Sequence, residues 1–432
     1  MNETQVESWR KQSLSVSARL GALSFHRSGK FRVLHISDIQ DGAKPSKSTA
    51  TLIATAVDAA RPDIVIFTGN IIAGYSPEFS ATFRRRPWLE ASSTNEDDLE
   101  HTRELVTAAY SSVLMPLVER GIPFAMTFGN HDVQCGLDAD ELERLAMQFT
   151  GCLNGQVSVV LPEQPWLERF ACGAGTLALP IRDTAGHLVF NLALAHVGDY
   201  AAQGGYIGPS DEVLQWLREL PQVLPNHVQT MLFQHLPLAT FYQALQEVDA
   251  STAYAVEGYR TFEGRYFVLD DARTEPSSYL GEGISCADDM REDMVLAQGG
   301  YAGVFAGHDH RNGFVAQACV SARALTAGAD SIVGDGNSDE ESLSEQRELL
   351  CAITPTCGFD TYGPTLAKRA VRLIEFDIRH PFNPRTQLLE FGDIGQRAKS
   401  SQAYTFGIER VDTTPGRGWN LVYKSGLFRK KH

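Results

Sequence analysis

Five short polar clusters hold residue types that bind divalent cations. They are Asp38-Ile39-Gln40, Gly69-Asn70, Gly129-Asn130-His131-Asp132, Gln234-His235 and Gly307-His308-Asp309-His310. Carboxylate, amide oxygen and imidazole together suit a hard or borderline ion such as Mn, Mg, Fe or Zn, not a soft thiolate site. The neighbouring glycines let the backbone turn sharply and bring short side chains close to an ion. One such cluster means little, because a single histidine at a strand end is more often structural than a ligand. Five in series, each closing a β-type run, leave packing without an account of them.

Alternating runs supply the elements that must position these clusters. Residues 31–36, 63–67 and 123–127 read as strands, and 63–67 is apolar enough to be buried on both faces. Residues 48–60 and 99–119 between them read as helices, which implies right-handed βαβ units. Later strands are predicted at 176–180, 188–196, 229–233, 303–306, 370–376 and 386–391, and this half looks more antiparallel. A helix at 210–220 starts from a Ser-Asp cap. In open α/β sheets, sites form at the carboxyl ends of strands, so the five clusters are expected to converge. The pattern shows no repeat and no clean linker. One mixed α/β domain is expected over 31–395, with insertions near 75–100, 250–300 and 325–360 and extensions at 1–30 and 396–432.

Composition narrows the function. The 432 residues carry 38 Lys+Arg against 53 Asp+Glu, a net charge of −15, with 43% hydrophobic residues. That acidity argues against long nucleic acid as a partner but permits a small phosphorylated substrate, since a bound metal reverses the local field. No apolar run approaches a membrane span. The polar N-terminus lacks the apolar core of a secretory signal. Seven scattered cysteines (Cys135, Cys152, Cys172, Cys286, Cys319, Cys351 and Cys357) form no disulfide framework, so a cytoplasmic location is expected.

The order of the clusters resembles the calcineurin-like metallophosphoesterase superfamily, whose pattern is DxH, GD, GNH followed by D or E, H, and GHxH. The resemblance runs from about Phe31 to Phe376. Flanking residues look like its purple-acid-phosphatase-like and Dcr-type branch: Gly121-Ile122-Pro123-Phe124, Gln234-His235-Leu236-Pro237, Glu282-Gly283-Ile284, Asp309-His310-Arg311-Asn312 and Tyr362-Gly363. It implies a four-layer α-β-β-α sandwich holding two divalent ions (Mn, Mg, Fe, Zn or Ca). The first ion would take Asp38, Gln40, Asn70 and His310; the second would take Asn70, Asn130, His235 and His308. It also implies hydrolysis of a phosphate ester, monoester or diester, by in-line attack of a metal-held hydroxide. His131 would stand at the leaving group as general acid or transition-state stabiliser, oriented by Asp132. Asp309 is expected to support the site without binding metal.

Two positions depart from that pattern. Gln40 replaces a histidine and offers a neutral amide oxygen, which shifts the first ion toward Mg, Mn or Ca. Asn70 replaces the bridging aspartate and leaves Asp38 as the one carboxylate among the ligands. Two divalent ions would be poorly neutralised, so impaired turnover is expected. The change reads either as a disabling substitution in a working enzyme or as the mark of a pseudoenzyme that binds metal or phosphate ligands. The intact remaining ligands favour the first reading, and Gln40 favours the second.

Other residues carry weaker signals. His196 is equally a site contact or a buried strand-end histidine. Tyr206, Tyr254, Tyr259, Arg260 and Arg265 are candidates for the cleft wall, since loops on a fixed scaffold carry specificity. Arg84-Arg85-Arg86 is either a solvated run, the commoner case, or an anion clamp. The acidic stretch 327–348 reads as a solvated loop. Oligomeric state stays open.

Overall fold

The computed structural model describes residues 8–9, 11–155, 171–321 and 346–395, with two short paired strands at 404–406 and 428–430. Eleven strands build the frame: β1 (Lys30–Ile36), β2 (Ile64–Thr68), β3 (Phe124–Thr127), β4 (Leu177–Arg182), β5 (Leu188–Ala195), β6 (Thr230–Gln234), β7 (Tyr301–Ala306), β8 (Val315–Ser321), β9 (Gln346–Ile353), β10 (Ala370–Asp377) and β11 (Arg385–Glu390). One sheet has the order β11-β10-β1-β2-β3 and the other β8-β9-β7-β6-β5-β4.

Alternation along the strands separates the layers. On β1 and β2, Val33, Ile64 and Ile66 face the second sheet, where they join Leu192, Met231 and Phe305. Their neighbours Leu34, Val65 and Phe67 face the helices Lys47–Ala60 and Glu96–Val118, packing with Leu52, Ile53, Val106 and Tyr110. The helix Asp211–Val223 covers the second sheet with Val213, Leu214, Trp216 and Leu217. Side chains that point alternately to opposite faces of a strand thus fill two separate cores. The four-layer α-β-β-α order expected from the sequence is the one observed.

Local signals set the helix ends. Asn95 accepts a hydrogen bond from the Asp97 N–H, and Glu96, Asp97 and Asp98 occupy the first turn, where the helix dipole favours anions. The acidic end of the insertion predicted near 75–100 is therefore the start of this helix. Ser210 caps the helix Asp211–Val223 through the Val213 N–H, as read from the sequence.

The second half is less antiparallel than expected. Strands β5, β6, β7 and β9 are mutually parallel, and the antiparallel partners β4 and β8 flank them. Strands β8 and β9 escaped the sequence reading, which placed 346–353 inside an insertion. Their apolar runs are short and broken by Gln317, Gln346, Arg347 and Glu348. Within the predicted 250–300 insertion, Val256–Glu257 and Tyr266–Leu269 form a small three-stranded sheet with Leu245–Val248. Most of the acidic stretch 327–348 and of the extension 396–432 lies outside the described residues. The stretch before residue 31 packs onto the domain: Ser17 and His26 bond to the Asp63 carboxylate, and Phe25 is fully buried against Phe31 and Phe190.

A buried polar chain ties the sheets together. His35 on β1 bonds Thr68 at 2.7 Å through Nε2 and Thr354 at 2.8 Å through Nδ1. Arg372 on β10 donates to Thr354 Oγ1 at 3.1 Å, Thr386 Oγ1 at 3.0 Å and the Ile353 carbonyl at 2.8 Å. Burial drives His35 neutral and pulls Arg372 down to about 10, so neutral acceptors must satisfy the guanidinium. Arg372→Met removes those donors and strands the Ile353 carbonyl. It should lower unfolding stability by about 2–3 kcal/mol, read from the urea midpoint at unchanged slope.

Candidate metal centre

All five clusters lie at carboxyl ends of parallel strands. β1, β2 and β3 deliver Asp38–Gln40, Asn70 and Asn130–His131 from one sheet, while β6 and β7 deliver His235 and His308–His310 from the other. Asp38, Gln40, Asn70 and His308 hold positive φ angles of 51°, 43°, 50° and 68°. Such backbone is unfavourable for side chains of this size and persists where surrounding contacts over-determine it. Gly307 is one such contact, since a Cβ there would run into Ser37 Oγ. A Cβ at Gly129 would run into Asn70 Oδ1 and the His235 ring.

Hydrogen-bond partners fix which atoms face the centre. His235 Nδ1 faces the Thr68 carbonyl at 2.8 Å, and His310 Nδ1 faces the Tyr362 carbonyl at 2.8 Å. A carbonyl only accepts, so each Nδ1 carries the proton and each Nε2 presents a lone pair. This is the tautomer that metal-binding histidines adopt. His310 Nε2 lies 3.3 Å from Asp38 Oδ1, two acceptors that need a cation between them. Gln40 spends its amide nitrogen on the Tyr75 hydroxyl at 3.1 Å, leaving Oε1 buried without a partner. Asp38, Gln40 and His310 therefore fit one divalent cation.

Asn70 sets the polarity of the remaining groups, among which the Asn130 amide nitrogen is buried without a partner. Asn70 Oδ1 accepts the His131 backbone N–H at 2.9 Å. That bond fixes the amide orientation and turns Nδ2 inward, 3.1 Å from Asp38 Oδ1 and 3.4 Å from Asn130 Oδ1. The bridging position thus presents N–H donors where a carboxylate would present a lone pair. His308 Nδ1 meets His235 Nε2 at 3.1 Å, and with His235 protonated on Nδ1, the shared proton belongs to His308. His235 Nε2 lies 3.0 Å from Asn130 Oδ1. Among the described residues, no three His, Cys, Asp or Glu side chains make a metal site unaided. Amide oxygens are indispensable, and the residues do not fit a second, bridged ion as they stand.

Electrostatics follow from burial. His235 and His308 are fully enclosed and pushed below the ordinary histidine range, so both rings are neutral. Burial raises Asp38, but His235, His310 and Ser37 together hold it well below the usual carboxylate range. Since His235 is itself neutral, the Ser37 hydroxyl at 2.6 Å and the His308 N–H at 2.7 Å are the firmer supports.

His131 and Asp132 depart from their expected pairing. Both Asp132 oxygens are taken by backbone: Asn70 N at 2.6 Å, Gly129 N at 2.8 Å, Ile71 N at 2.8 Å and Ile72 N at 3.1 Å. The His131 ring is oriented instead by Gln134, whose Oε1 lies 2.7 Å from Nδ1. The Gln134 amide nitrogen donates to the Arg85 carbonyl, which fixes Oε1 toward His131 and the ring proton on Nδ1. Burial pulls His131 down to about 4, so its Nε2 is an acceptor at neutral pH and not a ready general acid. Sequence reasoning missed Gln134. Its signal was the i,i+3 spacing from His131, which brings the two onto one face of the 3-10 turn Asp132–Cys135.

Tyrosines surround the cluster. Tyr206 meets His308 edge-on at 4.6 Å, Tyr75 meets His131 at 4.9 Å, and Tyr362 stacks on His310 at 4.0 Å. Tyr259 backs Tyr206 at 5.8 Å. Tyr254 points to solvent, while Arg260 and Arg265 pair with Asp288 and Glu247. His196 is enclosed against Phe128 and pulled down to about 4 by burial, the behaviour of a structural strand-end histidine. Asp309 accepts the Ser285 N–H, which supports the loop carrying His308 and His310.

The family model for calcineurin-like phosphoesterases matches residues 31–312. The chain belongs to that family. Among curated relatives of this phosphoesterase are three proteins of Arabidopsis thaliana. It is 23% identical to "Probable inactive purple acid phosphatase 14" over 68% of this chain and 69% of that one. It is 22% identical to "Probable inactive purple acid phosphatase 29" over 70% and 72%. For "Probable inactive purple acid phosphatase 28" the identity is 23%, over 68% of each chain.

Asp132→Asn tests the frame of this phosphoesterase site. An amide there must turn its NH2 group against backbone N–H donors. The variant should lose about 2–3 kcal/mol of stability by urea unfolding and bind Mn more weakly by calorimetry.

Proposed function

We propose that this chain binds a small phosphorylated metabolite and hydrolyses its ester with one divalent metal ion, at a rate held low by Asn70. The observation that carries this is the Asp38–His310 pair of facing acceptors beside the unpartnered Gln40 oxygen. Asp38, Gln40 and His310 would hold the ion. When bound, it supplies charge to offset the phosphoryl oxygens and lowers the pKa of water.

The chain's own groups do the rest. The Asn70 amide donates to Asp38 Oδ1 and Asn130 Oδ1, so the bridging position holds two neighbouring side chains by hydrogen bonding instead of binding an ion itself. His131 Nε2 would accept a hydrogen bond from a water beside the bound ester, and that water can donate a proton to the leaving oxygen. Gln134 keeps that nitrogen aimed while holding the opposite one. Tyr75, Tyr206 and Tyr362 limit water around the cluster. The acidic surface supports a small substrate over long nucleic acid, and no described helix is long and apolar enough to cross a membrane. Seven unpaired thiols support a reducing, cytoplasmic setting.

A second reading, a phosphate-ligand binder without turnover, is favoured by one observation: the Asn70 oxygen is held by the His131 N–H, so the bridging position offers no lone pair to a second metal. Asn70→Asp separates the two. Elemental analysis should find about one Mn per chain for the native sequence and about two for the variant. Hydrolysis of generic aryl phosphates should rise by about 10²-fold or more, the scale on which a lost charge contact at a reacting centre costs rate. A variant that gains the second metal but no hydrolysis would leave ligand binding as the function.

A further inference from the structure

We propose that Arg84 and Arg86 form a second anion-binding subsite beside His131, so that the substrate is a compact bisphosphate whose far phosphate lies on the His131 side. This rests on the phosphate-ester reading of the site and names its substrate class.

The basic run is tied to the site rather than loose on the surface. The Arg84 N–H bonds the Gln134 carbonyl at 2.9 Å, and Gln134 Nε2 bonds the Arg85 carbonyl at 2.9 Å. The same Gln134 holds the His131 ring at 2.7 Å, so one side chain sets both positions. Thr82 strengthens the tie by donating to the Cys135 carbonyl at 2.6 Å. The Arg86 guanidinium lies 3.7 Å over the Tyr200 ring centre, and that ring lies 6.1 Å from the His131 ring. No more than the sum of those two distances separates the guanidinium from the reacting side of the cluster. A short spacer between two phosphates covers that gap.

Arg86 commits one guanidinium N–H, donated from Nη1 to the Arg85 carbonyl at 2.8 Å. Among the described residues, none of Arg84, Arg85 and Arg86 closes an ion pair with a carboxylate. Asp199 is the carboxylate whose field they share, and it accepts the Tyr200 N–H at 2.6 Å. Stacking on Tyr200 fixes the guanidinium plane before a ligand arrives, which cuts the ordering cost of a two-pronged phosphate contact. Charge gives the reason for such a subsite. With Asn70 neutral and one ion in place, the centre has less positive charge than a doubly anionic ester calls for. Unpaired arginines beside it supply what the metals do not, in a chain whose net charge is otherwise −15.

Calorimetry on the full chain with saturating Mn tests this, using orthophosphate, glucose 6-phosphate and glucose 1,6-bisphosphate. The native chain should bind the bisphosphate about tenfold or more tighter than the monophosphate. Arg84→Gln with Arg86→Gln should erase that gain while leaving orthophosphate affinity and the urea midpoint unchanged. Arg85→Gln, at an exposed position, should keep the gain. The subsite is overturned if the native chain shows no preference, if the double variant retains it, or if Arg85→Gln costs as much as the pair. If orthophosphate and the monophosphate also fail to bind, the phosphate-ester reading falls and takes the subsite with it.

Discussion

Four backbone N–H groups converging on one carboxylate hold this centre together. Asp132 sits after β3, and three of its four donors, Asn70, Ile71 and Ile72, lie after β2. Two loops from adjacent parallel strands are thereby locked to one another through a fully buried anion. Burial pushes Asp132 up to about 6, and the four donors pull the other way. The positive φ of Asn70 is tolerable because its own N–H is committed there. The Asn70 side chain in turn holds the His131 N–H, so the order of ligands around the centre descends from this one carboxylate.

That constraint explains why the Asn70 amide cannot simply rotate to offer its oxygen inward. The oxygen is needed by a backbone donor that has no other acceptor nearby, and exchanging the ends would set NH2 against N–H. Replacing a carboxylate by an amide at this position therefore does more than remove a charge. It inverts hydrogen-bond polarity, giving donors where lone pairs belong. His308 then donates to His235 Nε2, and Asn130 Oδ1 takes the Asn70 N–H, while the Asn130 amide nitrogen has no partner. In the half built from Asp38, Gln40 and His310, Gln40 Oε1 has no partner and His310 Nε2 faces Asp38 Oδ1.

Much of the frame was legible because parallel strands buried on both faces read as continuous apolar runs ending at glycine. Ile64–Thr68 and Phe124–Thr127 are such runs, and the polar residues after them had no packing role to explain them. Strands β8 and β9 were not legible, since their turn of sequence mixes small and charged residues and their partners lie far along the chain. Strand direction in the second sheet was misjudged for a related reason: alternation reports which faces are buried, not which way a neighbour runs. The His131–Asp132 pairing failed because adjacent residues in a tight turn point apart, while Gln134, three residues on, shares a face with the ring. The convergence of the five clusters was readable; the orientation of one amide was not, because it depends on a backbone N–H sixty-one residues away.

The polarity inversion at Asn70 also bears on how the rest of the pocket is built. With Asn70 an amide, the one carboxylate among the candidate ligands is Asp38, which draws positive charge to its side and away from His131. His131 is itself neutral, since burial and the Gln134 contact leave its Nε2 bare. A dianionic ester seated between them would meet a field that falls off toward the β3 loop. Cations on that side come from the arginine run, whose backbone Gln134 holds through the Arg84 N–H and the Arg85 carbonyl while its Oε1 holds the ring. Holding ring and loop with the two ends of one amide makes their spacing rigid. Rigid spacing is what discrimination between one phosphate and two requires, because a flexible arginine would gain from either.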